Sequence, residues 1–120
     1  MTICITSTGQ TLDAPVNPSF GRAPYFLFVE EESLAVEAVQ NRPGAHGAGV
    51  QAAQTVASKG ADVVITGNVG PNAHQGLIAA GVKVYIGATG TGREALEHYR
   101  GGHLTRADAP TAGRHGRRMG

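Results

Sequence analysis

Three glycine-bearing loops constrain this chain most, because each follows an extended apolar segment and precedes a segment of helical character. The first turn of a helix has backbone N–H groups without intrahelical acceptors and carries a partial positive charge. Glycine also lets a ligand approach the backbone closely. If the loops share one edge of a sheet, that edge is an anion-binding surface built from backbone. The loops cover residues 44–49, 67–72 and 87–92.

Length and composition indicate one globular domain. The 120 residues are 41% hydrophobic and 16% charged, which suffices for a single core. No apolar run is long enough to span a bilayer and residues 1–5 do not resemble a secretory signal, so a cytoplasmic location is expected. Cys4 is the single cysteine, which excludes an internal disulfide and a cage of several cysteines around a metal.

Charge is unevenly distributed along the chain, although the formal net charge is only +1. Residues 100–120 contain five arginines and one aspartate, whereas the preceding residues contain five cations and eight anions. A globally basic surface for nucleic acid is therefore not indicated. Residues 103–120 lack apolar periodicity, and we expect them to form a basic, flexible tail after a domain of residues 1–102.

The apolar pattern predicts five strands and three helices. A long loop with three prolines separates the first two strands, and Thr91 with Glu94 forms a capping box. The predicted strands are residues 3–6, 25–29, 34–40, 61–66 and 82–86, and the predicted helices are residues 46–59, 72–80 and 91–100.

This order predicts an α/β fold with a mixed sheet. If the first three strands form a meander, the third is parallel to the first, and right-handed crossovers keep the fourth and fifth parallel to them. The three helix starts and the end of the first strand then lie at the same edge, which we call the carboxyl rim. Ligands of open α/β sheets bind at that edge.

The usual enzyme motifs are missing or out of context. Residues 90–95 resemble a dinucleotide-binding fingerprint, but no strand with an acidic ribose partner follows them. The sequence has no P-loop, and Cys4 lies between two isoleucines, which is typical of a core residue. The carboxylates of residues 30–32 are typical of a solvated turn and do not indicate a two-metal site.

Two histidines and one arginine are candidates for a ligand site at the carboxyl rim. His46 is flanked by glycines at the start of the first helix, and function and mere exposure are equally good interpretations of it. For His74, in the first turn of the second helix, an exposed helix start is the better interpretation. Arg22 is the one cation of the long first loop and would offer a bidentate donor to an anion.

The sequence resembles the dinitrogenase iron–molybdenum cofactor biosynthesis family over about residues 2–100. The motifs that carry the resemblance are Phe20-Gly21-Arg22-Ala23-Pro24-Tyr25-Phe26, His46-Gly47-Ala48-Gly49, Gly67-Asn68-Val69-Gly70-Pro71-Asn72-Ala73 and Gly81-Val82-Lys83-Val84-Tyr85. Length and single-domain build resemble the orange-protein branch of that family, which holds a molybdenum–copper sulfide cluster.

The resemblance implies a three-layer α/β/α, ribonuclease-H-like fold with a mixed five-stranded sheet and no nuclease activity. It also implies a non-catalytic carrier of an anionic metal–sulfur cluster, either molybdenum–copper sulfide or a related molybdenum-containing cluster. Cluster-assembly proteins or a partner ATPase are the expected protein partners, and neither nucleic acid nor membrane is expected.

The cluster is expected at the carboxyl rim, held mainly by electrostatics and backbone hydrogen bonds, with His46 as the one candidate metal ligand. Three helix starts supply a charge of roughly +1.5, which leaves a trianionic cluster about half compensated, so Arg22 or the tail should help. The candidate binding residues are Thr8, Gly9, Phe20, Gly21, Arg22, His46, Gly47, Gly49, Gly67, Asn68, Gly70, Asn72, Gly90 and Thr91.

Two other functions stay open on the sequence alone. One is a regulatory or protein-interaction module that keeps the fold without a bound cluster. The other is an enzyme that acts on a phosphorylated small molecule at the same rim, although no acid–base pair in the sequence favours it.

Overall fold

The computed structural model describes residues 1–42 and 48–108, which form six strands and three helices. Each predicted helix and strand has a counterpart within a few residues, and the capping box of Thr91 and Glu94 is present. The elements are β1 (Thr2–Ser7), β2 (Tyr25–Glu30), β3 (Val36–Gln40), α1 (Ala48–Ser58), β4 (Val63–Ile65), α2 (Pro71–Ala79), β5 (Lys83–Ile86), α3 (Gly92–Arg100) and β6 (Thr105–Arg106).

The sheet has the strand order β3-β2-β1-β4-β5-β6. Strand β2 is antiparallel to both β1 and β3, and β4 and β5 run parallel to β1. The predicted meander and the predicted parallel strands are therefore confirmed. Since β1, β3, β4 and β5 point the same way, the starts of the helices that follow β3, β4 and β5 lie at one edge.

Side chains alternate between two cores, one on each face of the sheet. Cys4 and Val64 point to the face that α1 and α2 cover, together with Val56 and Leu77 of those helices. The strand residues between them point to the other face, where Leu96 of α3 packs with the first loop. The result is the expected three-layer α/β/α arrangement.

The sheet has six strands, so the prediction of five was wrong. Thr105 and Arg106 pair antiparallel with Ile86 and Tyr85, and they belong to the segment that the sequence assigned to a flexible tail. A strand of two residues is too short to show an alternation of apolar and polar side chains. Only its backbone pairing defines it. The remaining tail, residues 109–120, lies outside the described residues.

The segment that follows β6 is attached to the core through Ala107. Its side chain is 4% exposed, and its N–H donates to the carbonyl oxygen of Val84 at 2.8 Å. Its own carbonyl oxygen lies 3.0 Å from Nε2 of His74, which is buried on α2. His74 is therefore a structural residue, and the interpretation of it as an exposed helix start was wrong.

None of the described helices is long and apolar enough to cross a membrane.

The contact between His74 and Ala107 predicts a specific loss of stability. Substitution His74→Ala leaves a buried carbonyl oxygen without its partner, and we expect the free energy of unfolding to fall by about 1–3 kcal/mol. Urea denaturation measures this. The control is Gln75→Ala, an exposed position on the same helix, which should change stability by less than about 0.5 kcal/mol. Equal effects of the two substitutions would contradict the role of His74.

Candidate functional site

The carboxyl rim brings together most of the residues that the sequence predicted as a site. Thr8 and Gly9 follow β1, residues 67–72 link β4 to α2, and residues 90–91 precede α3. Gly49 lies in the first turn of α1. His46 and Gly47 lie outside the described residues, so the candidate metal ligand has no described position. The long loop of residues 8–24 crosses this edge and determines which backbone N–H groups have a hydrogen-bond acceptor.

One half of the long loop covers the start of α3. The N–H groups of Gly92 and Arg93 donate to the carbonyl oxygens of Ala14 and Leu12 at 3.0 and 2.9 Å. The N–H of Glu94 donates to Oγ1 of Thr91, and the Glu94 carboxylate accepts from the Thr91 N–H at 2.9 Å. Because its first-turn N–H groups are all used, α3 offers no anion site. Gly90 is also engaged, since its carbonyl oxygen accepts from Val16 N–H.

The other half of the long loop lies against the segment between β4 and α2. The N–H of Asn68 donates to Pro18 at 2.7 Å, and the N–H of Phe20 donates to Asn68 at 3.2 Å. Glycine is required at position 67, because a Cβ there would lie 2.7 Å from the Pro18 carbonyl oxygen. Gly67 and the Asn68 backbone therefore hold the loop in place, while the Asn68 side chain is exposed.

Helix α2 differs from α3, because within residues 1–42 and 48–108 no loop carbonyl or side chain caps its first turn. Gly70 is its N-cap and provides no side-chain cap, and the first helical bond runs from His74 N–H to the Gly70 carbonyl oxygen at 2.9 Å. The N–H groups of Asn72 and Ala73 precede that bond, so they have no acceptor within the helix. Within the described residues neither has a hydrogen-bond acceptor, and of the two Asn72 is exposed whereas Ala73 is buried.

The start of α1 lies directly beside the start of α2. A Cβ at Gly49 would be 3.3 Å from Cβ of Ala73 and 3.5 Å from its backbone nitrogen. Two helix N-termini therefore meet at one point, where their partial positive charges add. We call this place the open corner; it consists of Gly49 and residues 70–73.

The loop that carries Arg22 is fixed on both sides of that residue. Phe20, whose N–H donates to the Asn68 carbonyl oxygen, stacks on Phe26 with ring centroids 5.4 Å apart. On the other side, Nδ2 of Asn41 donates to the carbonyl oxygen of Ala23 at 2.8 Å. The Arg22 side chain is exposed, and it forms no ion pair within the described residues. Its charge is thus available.

Negative charge is kept away from the open corner. Between Lys59 and Lys83 the sequence has one charged residue, Asp62, whose carboxylate accepts from Thr2 N–H at the opposite edge of the sheet. Among the described residues, the two helix starts therefore offer backbone donors and uncharged side chains, which favour an anion over a cation.

Two sets of polar contacts that hold the rim together were not indicated by the sequence pattern. Oγ1 of Thr6 donates to the Asn17 carbonyl oxygen at 2.7 Å and lies 2.9 Å from Oγ1 of Thr66. Both threonines are fully buried at the ends of β1 and β4. The second set is the hydrogen bond from Nδ2 of Asn41 to the Ala23 carbonyl oxygen in the long loop. Each depends on positions distant in sequence, so no local pattern could have found them.

Cys4 is not available to a ligand at the rim. Its side chain is fully buried among the residues that α1 and α2 cover, and this burial raises the pKa of the thiol far above its ordinary value. Among residues 1–42 and 48–108, no group of three or more His, Cys, Asp or Glu side chains is arranged to hold a metal ion.

Comparison with known proteins gives the family. The sequence profile of the family described as "Dinitrogenase iron-molybdenum cofactor" matches residues 1–102. The chain belongs to this family. It is also 32% identical over 94 residues to an uncharacterized protein of Methanocaldococcus jannaschii, which covers 74% of this chain and 80% of that protein.

Solved structures of similar proteins share the fold. The apo form of the orange protein from Desulfovibrio gigas superposes with a TM-score of 0.88 at 42% identity, covering 92% of this chain and 95% of that one. The NMR structure of a Thermotoga protein of the DUF35 family gives 0.83 at 40% identity, covering 93% and 97%. The family assignment made from the sequence motifs is thereby confirmed.

The buried thiol predicts a dependence of stability on pH. Because the pKa of Cys4 is higher in the folded chain than in the unfolded one, its contribution is complete below the ordinary value of 9.0 and is lost above it. We expect the free energy of unfolding to fall above pH 9 by about 1.4 kcal/mol per pH unit from this group. Urea denaturation at several pH values compares the unchanged protein with Cys4→Ala, which should be less stable at neutral pH but lack this part of the slope. Equal slopes would contradict the prediction.

Proposed function

We propose that this protein is a non-catalytic carrier of an anionic, molybdenum-containing metal–sulfur cluster, which it binds at the open corner. The observation that supports this most is the pairing of two helix starts at Gly49 and Ala73, with open N–H groups on α2. Family membership and the likeness to the orange protein support the class of cargo.

The charge of the open corner fits an anion of low charge density. Two helix N-termini supply roughly +1 in total, and Arg22 adds one formal charge. The start of α3 contributes nothing, because loop carbonyls and the Glu94 carboxylate already occupy it. The two helix starts alone are less positive than the roughly +1.5 of three open helix starts, so uptake should depend on Arg22 more strongly than the sequence indicated.

The mode of retention follows from the donors that are present. Backbone N–H groups and a guanidinium bind an anion by hydrogen bonds and charge, and they form no covalent bond with its metal. The cluster would therefore keep its own sulfide ligands and leave without a ligand exchange at the protein. This is the behaviour that a carrier requires.

The role of Arg22 can be tested with a matched pair of variants. Arg22→Gln removes the cation of the long first loop, whereas Arg93→Gln removes a cation at the closed start of α3, where Arg93 pairs with Asp13 at 3.4 Å. Both change the net charge equally. We expect Arg22→Gln to weaken uptake of tetrathiomolybdate with copper(I) by about tenfold, with a smaller salt dependence, and Arg93→Gln to change it less than about twofold. Visible charge-transfer absorption measures the uptake.

Two results would count against the proposal in different ways. Equal weakening by both variants would argue against the open corner while leaving the carrier function intact. Absence of a coloured complex and of thermal stabilisation with the unchanged protein would argue against the carrier function, and would favour an interaction module that keeps the fold without a cluster.

A further inference from the structure

Two histidines meet at the C-terminal end of α3. His98 lies in the last turn of the helix, and His103 follows three residues after its end at Arg100. The ring centroids are 6.4 Å apart, and the ring planes are at 87° to each other. Because α3 begins at the carboxyl rim and rises about 1.5 Å per residue, the pair lies about 10 Å along the helix from that edge. Neither ring therefore belongs to the open corner.

A Schellman turn brings the two histidines together. The N–H of His103 donates to the carbonyl oxygen of His98 at 2.8 Å, and the N–H of Gly102 donates to that of Tyr99 at 3.1 Å. Gly102 has a φ of 76°, which glycine adopts without strain. Such a turn commonly packs an apolar residue after the helix against one in its last turn. Here imidazoles occupy both places, so backbone geometry holds them side by side.

The absence of a side chain at Gly101 leaves room for the His103 ring. A Cβ at position 101 would lie 2.8 Å from Cδ2 and 3.0 Å from Nε2 of that ring. The ring therefore lies against the end of α3 and does not extend into solvent. The partial negative charge of a helix C-terminus favours a cation at this place.

The fold does not use either imidazole. In the part of the chain that the structure describes, His74 is the one histidine whose ring has a hydrogen-bond partner, and no ion pair includes His98 or His103. Both side chains are exposed. The two arginines of α3 are held elsewhere, since Arg93 and Arg100 both donate to acceptors outside the helix. The imidazole nitrogens are therefore available to a metal ion.

The spacing of the two rings suits one shared metal ion. An imidazole nitrogen binds its metal at about 2.0–2.1 Å, which puts the ion about 3.2 Å from the ring centroid. Two rings on one ion then have centroids about 4.5 Å apart for a right angle at the metal and about 6.4 Å apart for a straight one. The observed 6.4 Å is at the upper end of that range. Rotation of the exposed side chains, which is fast, can bring the rings closer.

We propose that His98 and His103 form a chelating site for a divalent transition-metal ion, with water in the remaining coordination positions. Imidazole is a ligand for zinc, nickel and copper, and the affinity of a given site is highest for copper(II). With two protein ligands the site leaves open positions, so an ion can enter and leave from solvent. The proposal does not depend on the carrier function, because it uses neither the open corner nor a cluster.

Titration of the full chain with copper(II) alone, against glycine as a competing chelator, tests the proposal. The variants are His98→Gln and His103→Gln, and the control is His115→Gln, which removes an imidazole outside the described residues. We expect each of the first two to weaken binding of the tightest copper(II) ion about tenfold or more, and the control to change it less than about twofold. Electron paramagnetic resonance should show two nitrogen ligands in the unchanged protein and one in either pair variant.

Three results would overturn the proposal. The first is equal weakening by the control variant, and the second is an effect of only one of the two pair variants. The third is a smaller number of bound ions at unchanged affinity, which would indicate separate sites of one imidazole each. Urea denaturation without metal checks that the variants are folded. Because no molybdenum is present, these measurements are independent of the outcome for Arg22.

Discussion

The backbone pairing of the long first loop with the carboxyl rim is the constraint on which the site depends. Strands β1 and β2 are antiparallel neighbours, so the segment between them begins and ends at that edge. It lies across the rim and presents carbonyl oxygens to the N–H groups of α3 and of Asn68. These bonds satisfy polar groups that would otherwise be costly to bury. Among residues 1–42 and 48–108, the same loop makes no backbone hydrogen bond to Asn72 or Ala73, and it carries the exposed Arg22.

The two faces of the sheet have consequently become different in their electrostatics. On one side, α3 has a closed N-terminus and charged side chains that pair with neighbours such as Asp13. On the other side, α1 and α2 have no charged side chain, so these helices contribute to the field near their starts through their backbone alone. A carboxylate near the open corner would cancel this weak attraction, since its unit negative charge equals the combined partial positive charges of about two helix N-termini.

Local sequence patterns were sufficient for the strands, the helices and their parallel order, because burial periodicity and helix caps depend on neighbouring residues. They were insufficient where backbone groups bind one another across the fold. The pairing of residues 12–14 with the start of α3 has no side-chain signature, and neither has β6. Because this pairing has no sequence signature, Gly90 and Thr91 were predicted as binding residues in the same way as Asn72. The buried role of His74 depends on Ala107, which the sequence had placed in a tail.

The backbone donors of the open corner set how firmly an anion can be held there. Their attraction is weakened by surrounding water, because the interaction falls as the local dielectric constant rises. An anion held in this way would be released by the loss of hydrogen bonds, without exchange of a thiolate ligand, since the Cys4 side chain is fully buried. Retention at the corner would therefore be reversible and would weaken as salt screens the charges.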